Sequence, residues 1–239
     1  MTTWKHYKNL ISKSAFDTFF PSFHGKTKQN ANAGRIDNDA IVIVGRKGSG
    51  KTTILLFLIK LFLKFTKRDI LVFTQVPENF ESVSGNRVTI VNVSDIVKDS
   101  EEIGKEYIFP DLPEIKDAMV VFDDIENIPV KNINQQMTKF INLCFQNGRN
   151  YGLTIVLVLH HLNTGRERTL LIKEADSIVM FPGSMDNNLL KTLIDHYGFT
   201  KDRALDLFRM PEKFILLRNT EPSYIYGGSS NLIYPVIRF

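Results

Sequence analysis

The chain has 239 residues, 43% of them hydrophobic and 23% charged, which provides apolar material for one sizeable α/β core or two small domains and excludes a disordered or fibrous protein. Its one cysteine, Cys144, excludes a disulfide-stapled secreted scaffold and a four-cysteine zinc site, and it favours a reducing compartment. The net charge of +4 is unevenly distributed, because residues 1–35 hold six basic residues against one acidic residue.

Residues 1–37 are predicted to form a basic N-terminal arm. Such an arm can contact nucleic acid or an acidic protein surface, or it can simply be solvated. Apolar residues recur in it at helical spacing until Pro21, which predicts an amphipathic helix that either docks a partner or packs on the protein's own core. These apolar residues are Trp4, Tyr7, Ile11, Ala15 and Phe19. The polar residues 26–38 then predict a linker or mobile loop.

Residues 38–239 predict one α/β domain, because short β-branched runs alternate with helical patterns. This alternation indicates a mostly parallel sheet flanked by helices. The predicted strands are 40–44, 70–73, 88–93, 119–122, 153–159, 177–181 and 214–217. The predicted helices are 51–66, 94–106, 132–147, 189–197 and 201–208. Residues 223–239, with two glycines between apolar stretches, predict a β-rich tail that forms a hairpin.

No membrane span is expected. The longest apolar stretch, residues 54–65, is interrupted by Lys60 and Lys64 and has about half of the ~20 residues that a span needs. It therefore predicts a buried helix. The polar N-terminus leads into no apolar segment with a small-residue cleavage site, so no secretory signal is expected.

The most specific motif lies between the first predicted strand and the first predicted helix. It is Gly45-Arg46-Lys47-Gly48-Ser49-Gly50-Lys51-Thr52, which matches the Walker A pattern in the context that pattern requires. The glycines let backbone N–H groups curl inward onto phosphate oxygens at the positive end of the helix. Lys51 is predicted to reach the β- and γ-phosphates of ATP, and Thr52 to hold Mg²⁺ through its hydroxyl. Thr53 completes the predicted nucleotide-binding set.

The apolar residues 119–122 run into two acids and predict a Walker B strand. Asp123 is predicted to face Mg²⁺. Because successive strand side chains point to opposite faces, Asp124 is better placed to polarise the attacking water, with Glu126 as its competitor. A pair of acids after an apolar run can also be an ordinary helix N-terminus.

The next predicted helix, residues 132–147, has an apolar face and is predicted to end at Gly148 in a left-handed stop. Cys144 lies on that face and is predicted to be an unreactive residue packed in the core. Arg149 comes just after the stop, and the strand 153–159 then ends in His160 and His161.

These features together resemble the FtsK-HerA superfamily of DNA-pumping ATPases over roughly residues 38–182. The resemblance rests on Walker A, the Asp-Asp Walker B, and Gly-Arg-Asn-Tyr-Gly-Leu before an apolar strand. Within the superfamily, the sequence is most similar to viral genome-packaging ATPases of the poxvirus, giant-virus and virophage kind, in which Asn-Gly-Arg precedes the same strand. The resemblance implies an additional-strand, RecA-like P-loop NTPase core, with the sensor strand between the Walker A and Walker B strands.

The resemblance also implies roles for residues of the site. Asp124 takes the place of the family's common catalytic glutamate, and Arg149 is the arginine finger that acts on a neighbouring subunit. The alternative for Arg149 is that it caps carbonyls at the end of the 132–147 helix or makes a surface salt bridge. His160 occupies the sensor position, where glutamine is usual. Arg166 and Arg168 are rival fingers or phosphate-backbone contacts, or they are surface charge.

The function that the resemblance implies is ATP hydrolysis that drives double-stranded DNA through a homo-oligomeric ring of five or six subunits, packaging a viral genome into a preformed capsid. Capsid protein at the portal vertex is an implied partner, and the implied location is the cytoplasm of the infected host cell, the virion or both. Two other functions stay open. One is a nucleotide-regulated assembly or extrusion protein similar to the Zot-like proteins of filamentous phages, which typically carry a membrane span. The other is a small-molecule P-loop kinase.

Overall fold

The computed structural model describes residues 39–103, 107–160, 173–184, 186–219, 224–230 and 233–235. The predicted basic arm, its helix and its linker lie outside these residues, as do Arg166 and Arg168. Within the ranges that are described, no helix is both long and apolar enough to cross a membrane.

Strands and helices alternate along the described chain, and every strand and helix predicted within it is present with small differences at the ends. The strands are β1 (Ala40–Val44), β2 (Ile70–Thr74), β3 (Val88–Asn92), β4 (Met119–Asp123), β5 (Thr154–Leu159), β6 (Ser177–Met180), β7 (Ile215–Arg218), β8 (Tyr224–Gly227) and β9 (Ile233–Pro235). The α-helices are α1 (Lys51–Phe65), α2 (Val93–Ile103), α3 (Lys131–Asn147), α4 (Asn187–Tyr197) and α5 (Lys201–Arg209). Short 3₁₀ helices span Pro77–Val83, Gly148–Tyr151 and Pro182–Ser184.

The strands form one mixed sheet in the order β3-β2-β4-β5-β1-β6-β7-β8-β9. The first six strands are parallel, and β7, β8 and β9 extend the sheet antiparallel. The prediction of a mostly parallel P-loop sheet is confirmed, and so is the hairpin of the tail, which is the β8–β9 pair. β5 pairs with both β1 and β4, so the additional strand lies between the Walker A and Walker B strands as expected.

The sheet is buried on both faces, which explains why its central strands are apolar throughout. Alternate residues of β1 enter different clusters: Ile41 and Ile43 pack with Leu55 and Ile59 of α1, whereas Val42 joins the cluster that contains α3. Full burial of each such side chain contributes about 1.5–3 kcal/mol, so the two layers hold the strand ends in a rigid frame.

The predicted left-handed stop at Gly148 is wrong. Gly148 has φ −56° and ψ −29°, which is right-handed helical geometry, and its N–H still donates to the Cys144 carbonyl. The chain continues through the 3₁₀ helix, and the left-handed residue is Gly152, with φ 67°. Gly148 is needed for space instead, because a Cβ there would lie 2.9 Å from Cδ1 of Ile155. Cys144 is fully buried in the core, where burial raises the pKa of its thiol to about 12, as expected for an inert packing residue.

The parallel strands end at one edge of the sheet, here called the carboxyl edge. At this edge β1 runs into the glycine-rich loop, β2 is followed by Gln75, β4 ends at Asp123, and β5 is followed by His160. Ligands of open α/β sheets bind outside the carboxyl ends of the strands, so the fold brings these residues to the expected place.

Candidate active site

The loop between β1 and α1 has the backbone of a phosphate cradle. Gly48 and Gly50 have φ of 80° and 103°, in the left-handed region that glycine adopts without a steric penalty. A Cβ at Gly45 would lie 2.6 Å from Ser49 Oγ and 2.7 Å from the Phe181 ring, so glycine is also required where the loop leaves the strand. No side chain caps the start of α1, which leaves its first N–H groups available to an anion.

Lys51 lies against this loop and is only 7% exposed. Its Nζ donates to the carbonyl oxygens of Gly45 at 2.7 Å and of Arg46 at 3.1 Å. Burial lowers the pKa of Lys51 from its ordinary value, and the nearby carboxylates of Asp123, Glu126 and Asp124 oppose that shift. The ammonium group is therefore held at the cradle by loop carbonyls and flanked by acids.

A buried serine hydroxyl in the loop indicates that the cradle fits the phosphates of ATP. Ser49 Oγ is buried and has no hydrogen-bond partner within the described residues. A buried hydroxyl without a partner costs about 1–3 kcal/mol, and a phosphate oxygen would remove that cost. Arg46, Lys47 and Gly48 are exposed at the tip of the loop, whereas Thr52 is half-buried and Thr53 exposed on the first turn of α1.

Asp123 is a buried carboxylate at the end of β4, 4% exposed. Burial raises its pKa to about 6, Asp124 adds to the effect, and Lys51 and His160 oppose it. No group of three or more His, Cys, Asp or Glu side chains that could hold a metal ion occurs in the described ranges. Mg²⁺ usually takes one or two carboxylates together with substrate phosphates, so the oxygens of Thr52 and Asp123 fit it as part of such a set.

The raised pKa of Asp123 predicts that this residue destabilises the nucleotide-free fold. Because the folded state binds the proton more tightly, the free energy of unfolding falls as the pH rises from about 4 to about 6. Asp123→Asn removes this penalty, so we expect it to raise the free energy of unfolding by up to about 3 kcal/mol at pH 8 and to have little effect below pH 4.

Urea denaturation at the two pH values measures this effect. Asp195→Asn, at an exposed position of α4, is the control and should change the free energy of unfolding by less than about 0.5 kcal/mol. An Asp123→Asn protein that is less stable than the wild type at pH 8 would contradict the prediction.

Asp124 follows β4 in the left-handed region, with φ 53°. An aspartate tolerates this conformation at a cost of roughly 1 kcal/mol, which suggests that its neighbours impose it. Its Oδ1 lies 3.2 Å from His160 Nε2, and its carbonyl accepts a hydrogen bond from Gln75 Nε2 at 2.8 Å.

His160 connects Lys51 to Asp124. Its Nδ1 lies 3.1 Å from Lys51 Nζ, and its Nε2 faces the Asp124 carboxylate. Because an ammonium group has donors only, a hydrogen bond between these two groups requires Nδ1 to accept and leaves Nε2 as the ring donor that faces Asp124. The backbone N–H of His160 donates to Glu126 Oε2 at 2.6 Å, so Glu126 secures the end of β5.

Arg149 is the one predicted site residue in the described chain that lies away from this cluster. It precedes β5, and the six residues of that strand rise ~3.3 Å each, so Arg149 and His160 are separated by roughly 20 Å. Arg149 is 43% exposed, and its Nη2 lies 3.4 Å from Oδ1 of the buried Asp176. The other Asp176 oxygen accepts the Ala40 N–H at 2.9 Å.

The sequence interpretation missed two residues of this site. Gln75 contacts the Asp124 carbonyl, and the buried ring of Phe181 backs the glycine-rich loop beside Gly45. A signal for Gln75 was present, because it is a polar residue directly after an apolar strand of a parallel sheet. Phe181 had no such signal, because Phe181 and Gly45 are 136 residues apart in the chain and meet only because β6 pairs with β1.

Comparison with known proteins identifies relatives of the described core. The family described as Zonular occludens toxin (Zot) matches residues 40–169. Uncharacterized protein V3 of Sputnik virophage is 25% identical over 191 residues, which cover 79% of this chain and 74% of that protein.

Two solved structures share the fold. One is the genome packaging NTPase B204 from Sulfolobus turreted icosahedral virus 2, in complex with AMPPCP. The match has a TM-score of 0.50 at 16% identity and covers 84% of this chain and 98% of the B204 chain. The other is the cytoplasmic domain of the Thermomonospora curvata Type VII secretion ATPase EccC. That match has a TM-score of 0.53 at 13% identity and covers 80% of this chain and 25% of the EccC chain. At these identities the structures establish the fold. With the family match and the virophage relative, they confirm the resemblance to P-loop ATPases.

Proposed function

The chain belongs to the Zot family, and on that premise we propose that it is an ATP-hydrolysing motor that moves double-stranded DNA, packaging a viral genome into a preformed capsid. The observation that carries the hydrolytic part is the contact series from Lys51 through His160 to Asp124. It joins a phosphate cradle to a carboxylate within hydrogen-bond distances, which is the arrangement that water attack on a bound phosphate needs.

In this proposal the loop from Gly45 to Thr53 binds the phosphates through backbone N–H groups, and Lys51 turns from the loop carbonyls to the β- and γ-phosphates. Thr52 and Asp123 hold Mg²⁺, which when bound offsets the negative charge of the phosphates. Asp124 orients the attacking water and accepts its proton. His160, the sensor residue, links Lys51 to Asp124, so the occupancy of the cradle affects the position of the carboxylate.

Asp124 is favoured over Glu126 as the group that activates water. Glu126 accepts the backbone N–H of His160 and so has a structural task at the end of β5. Asp124 contacts the sensor side chain itself. Asp124→Asn should therefore reduce the hydrolysis rate far more than Glu126→Gln.

Arg149 is proposed to act in trans. At roughly 20 Å from His160, it is too far to contact its own nucleotide, whereas its exposed guanidinium can reach a neighbouring subunit. A guanidinium delivered across a subunit boundary stabilises the charge that develops on the transferred phosphoryl group. This role requires a homo-oligomer, and we propose a ring of five or six subunits.

The DNA substrate is proposed from the relatives. B204, which shares the fold, is described as a genome packaging NTPase, and V3 comes from a virophage. Capsid protein at the portal vertex is the proposed further partner, and the proposed location is the infected cell's cytoplasm, the virion or both.

A second candidate is a nucleotide-regulated assembly or extrusion protein of the Zot-like kind, which the family match favours. A small-molecule kinase is a weaker candidate, because the strand order with β5 between β1 and β4 is that of the additional-strand class.

Steady-state ATPase activity with and without long double-stranded DNA tests the proposal. Because a motor contacts phosphates irrespective of base sequence, we expect strong stimulation that weakens sharply between about 50 mM and 200 mM salt. Lys51→Ala protein, purified in parallel, controls for contaminating ATPases. Hydrolysis that is indifferent to DNA would contradict the packaging function and favour the Zot-like candidate, whereas an absence of hydrolysis would contradict the ATPase itself.

A further inference from the structure

Three neighbouring strands meet around Asp124. β4 lies between β2 and β5 in the sheet, and Asp124 is the first residue after β4. From the β2 side, Gln75 Nε2 donates to the Asp124 carbonyl at 2.8 Å. From the β5 side, His160 Nε2 lies 3.2 Å from the Asp124 carboxylate. Asp124 is therefore held at its backbone by one neighbour and at its side chain by the other.

The hydrogen bond from Gln75 holds the Asp124 backbone in a conformation that is uncommon for a residue other than glycine. Asp124 has φ 53°, a conformation in which the carbonyl and the side chain leave the strand in directions that extended backbone would not give. A donor fixed on that carbonyl opposes relaxation to extended geometry, and relaxation would withdraw the carboxylate from His160. Because β4 ends at Asp123, Asp124 lies beyond the strand, and the Gln75 amide supplies a hydrogen-bond donor to its carbonyl.

The local structure places Gln75 for this contact. Thr74 pairs with Asp123 across the parallel β2–β4 ladder, so the next residues of the two strands, Gln75 and Asp124, are also neighbours. Thr74 Oγ1 accepts the Val76 N–H at 3.0 Å, which turns the chain directly after the strand. Gln75 is half-buried at that turn.

We infer that Gln75 is a positioning residue that holds Asp124 in the geometry needed to activate water. The inference rests on the proposed ATPase function and adds to it a residue that neither Walker motif contains. Displacement of a catalytic group by about 1 Å can reduce a rate by about 100-fold, so a single side-chain contact is sufficient to matter. Gln75 does not contact the cradle residues Gly45 or Lys51 through any hydrogen bond found in the described residues, so nucleotide binding should not depend on it.

Two substitutions remove the donor in different ways. Gln75→Met keeps the length of the side chain without the amide, and Gln75→Glu keeps its shape. We expect both to reduce kcat for ATP by about 10- to 100-fold, with KM and the affinity for a fluorescent ATP analogue within about twofold of wild type. Gln146→Met, at an exposed position of α3, is the matched control and should behave as wild type.

A double-substitution cycle separates positioning from general destabilisation. If Gln75 acts through the Asp124 carboxylate, Gln75→Met should have almost no further effect on kcat in an Asp124→Asn background. Multiplying effects in the double variant, or a parallel loss of nucleotide affinity, would overturn the inference, as would wild-type kcat in both Gln75 variants. Absence of ATPase activity in the wild-type protein would instead contradict the proposed function, so the two failures are distinguishable.

Discussion

Lys51→Ala is expected to weaken ATP binding by at least about 100-fold and to abolish measurable hydrolysis. The ammonium group is the one side-chain cation that the structure holds within the cradle among its described residues, and hydrogen bonds to charged groups contribute about 1.5–3 kcal/mol each. The variant also removes the Lys51 charge that lies beside the carboxylates of Asp123 and Asp124, which disfavours an approaching phosphate further.

Titration with a fluorescent ATP analogue, together with a steady-state ATPase assay, measures both effects. Lys64→Ala on the same helix is a suitable control, because that lysine is exposed near the far end of α1. Circular dichroism of the variants establishes that any loss is not a loss of fold. Wild-type hydrolysis by Lys51→Ala would remove the phosphate-loop interpretation and the function built on it.

Arg149→Ala is expected to leave ATP binding intact while hydrolysis falls by about 10³- to 10⁵-fold, the effect typical of an arginine finger. The variant also deprives the buried Asp176 of its ion pair, so lower stability alone could reduce activity. Arg149→Lys separates a loss of stability from a loss of catalysis, because lysine retains a positive charge beside Asp176 but lacks the planar guanidinium with its several donors. We expect Arg149→Lys to be folded and still strongly impaired, and Arg209→Ala, at an exposed arginine, to be unaffected.

Mixed oligomers test whether the arginine acts in trans. Arg149→Ala and Asp124→Asn protein should each hydrolyse ATP alone at only a small residual fraction of the wild-type rate. When the two are mixed, some subunits with an intact Asp124 acquire a neighbour with an intact Arg149, and activity should return. If Arg149→Ala hydrolyses ATP normally, the finger must be sought at Arg166 or Arg168 instead.

Local patterns were sufficient to predict the elements of the core. Strands such as β1 and β4 are apolar throughout because both faces are covered, and helices such as α3 carry one apolar stripe, so each has a signal within its own residues. The Gly148 stop was wrong for an equally local reason. Glycine signals either a left-handed backbone or a lack of space, and only the neighbouring Ile155 shows that space is the reason here.

The sequence by itself therefore determined the phosphate loop, the acids after β4 and the class of the fold, since the chemistry of each depends on adjacent residues. The tertiary structure alone decided that β2 lies beside β4, which brings Gln75 to Asp124, and that Arg149 lies at the opposite edge of the sheet paired with Asp176. These contacts join residues 27 to 49 positions apart. The order of the strands sets them, and that order minimises the free energy of the whole buried sheet rather than of any one segment.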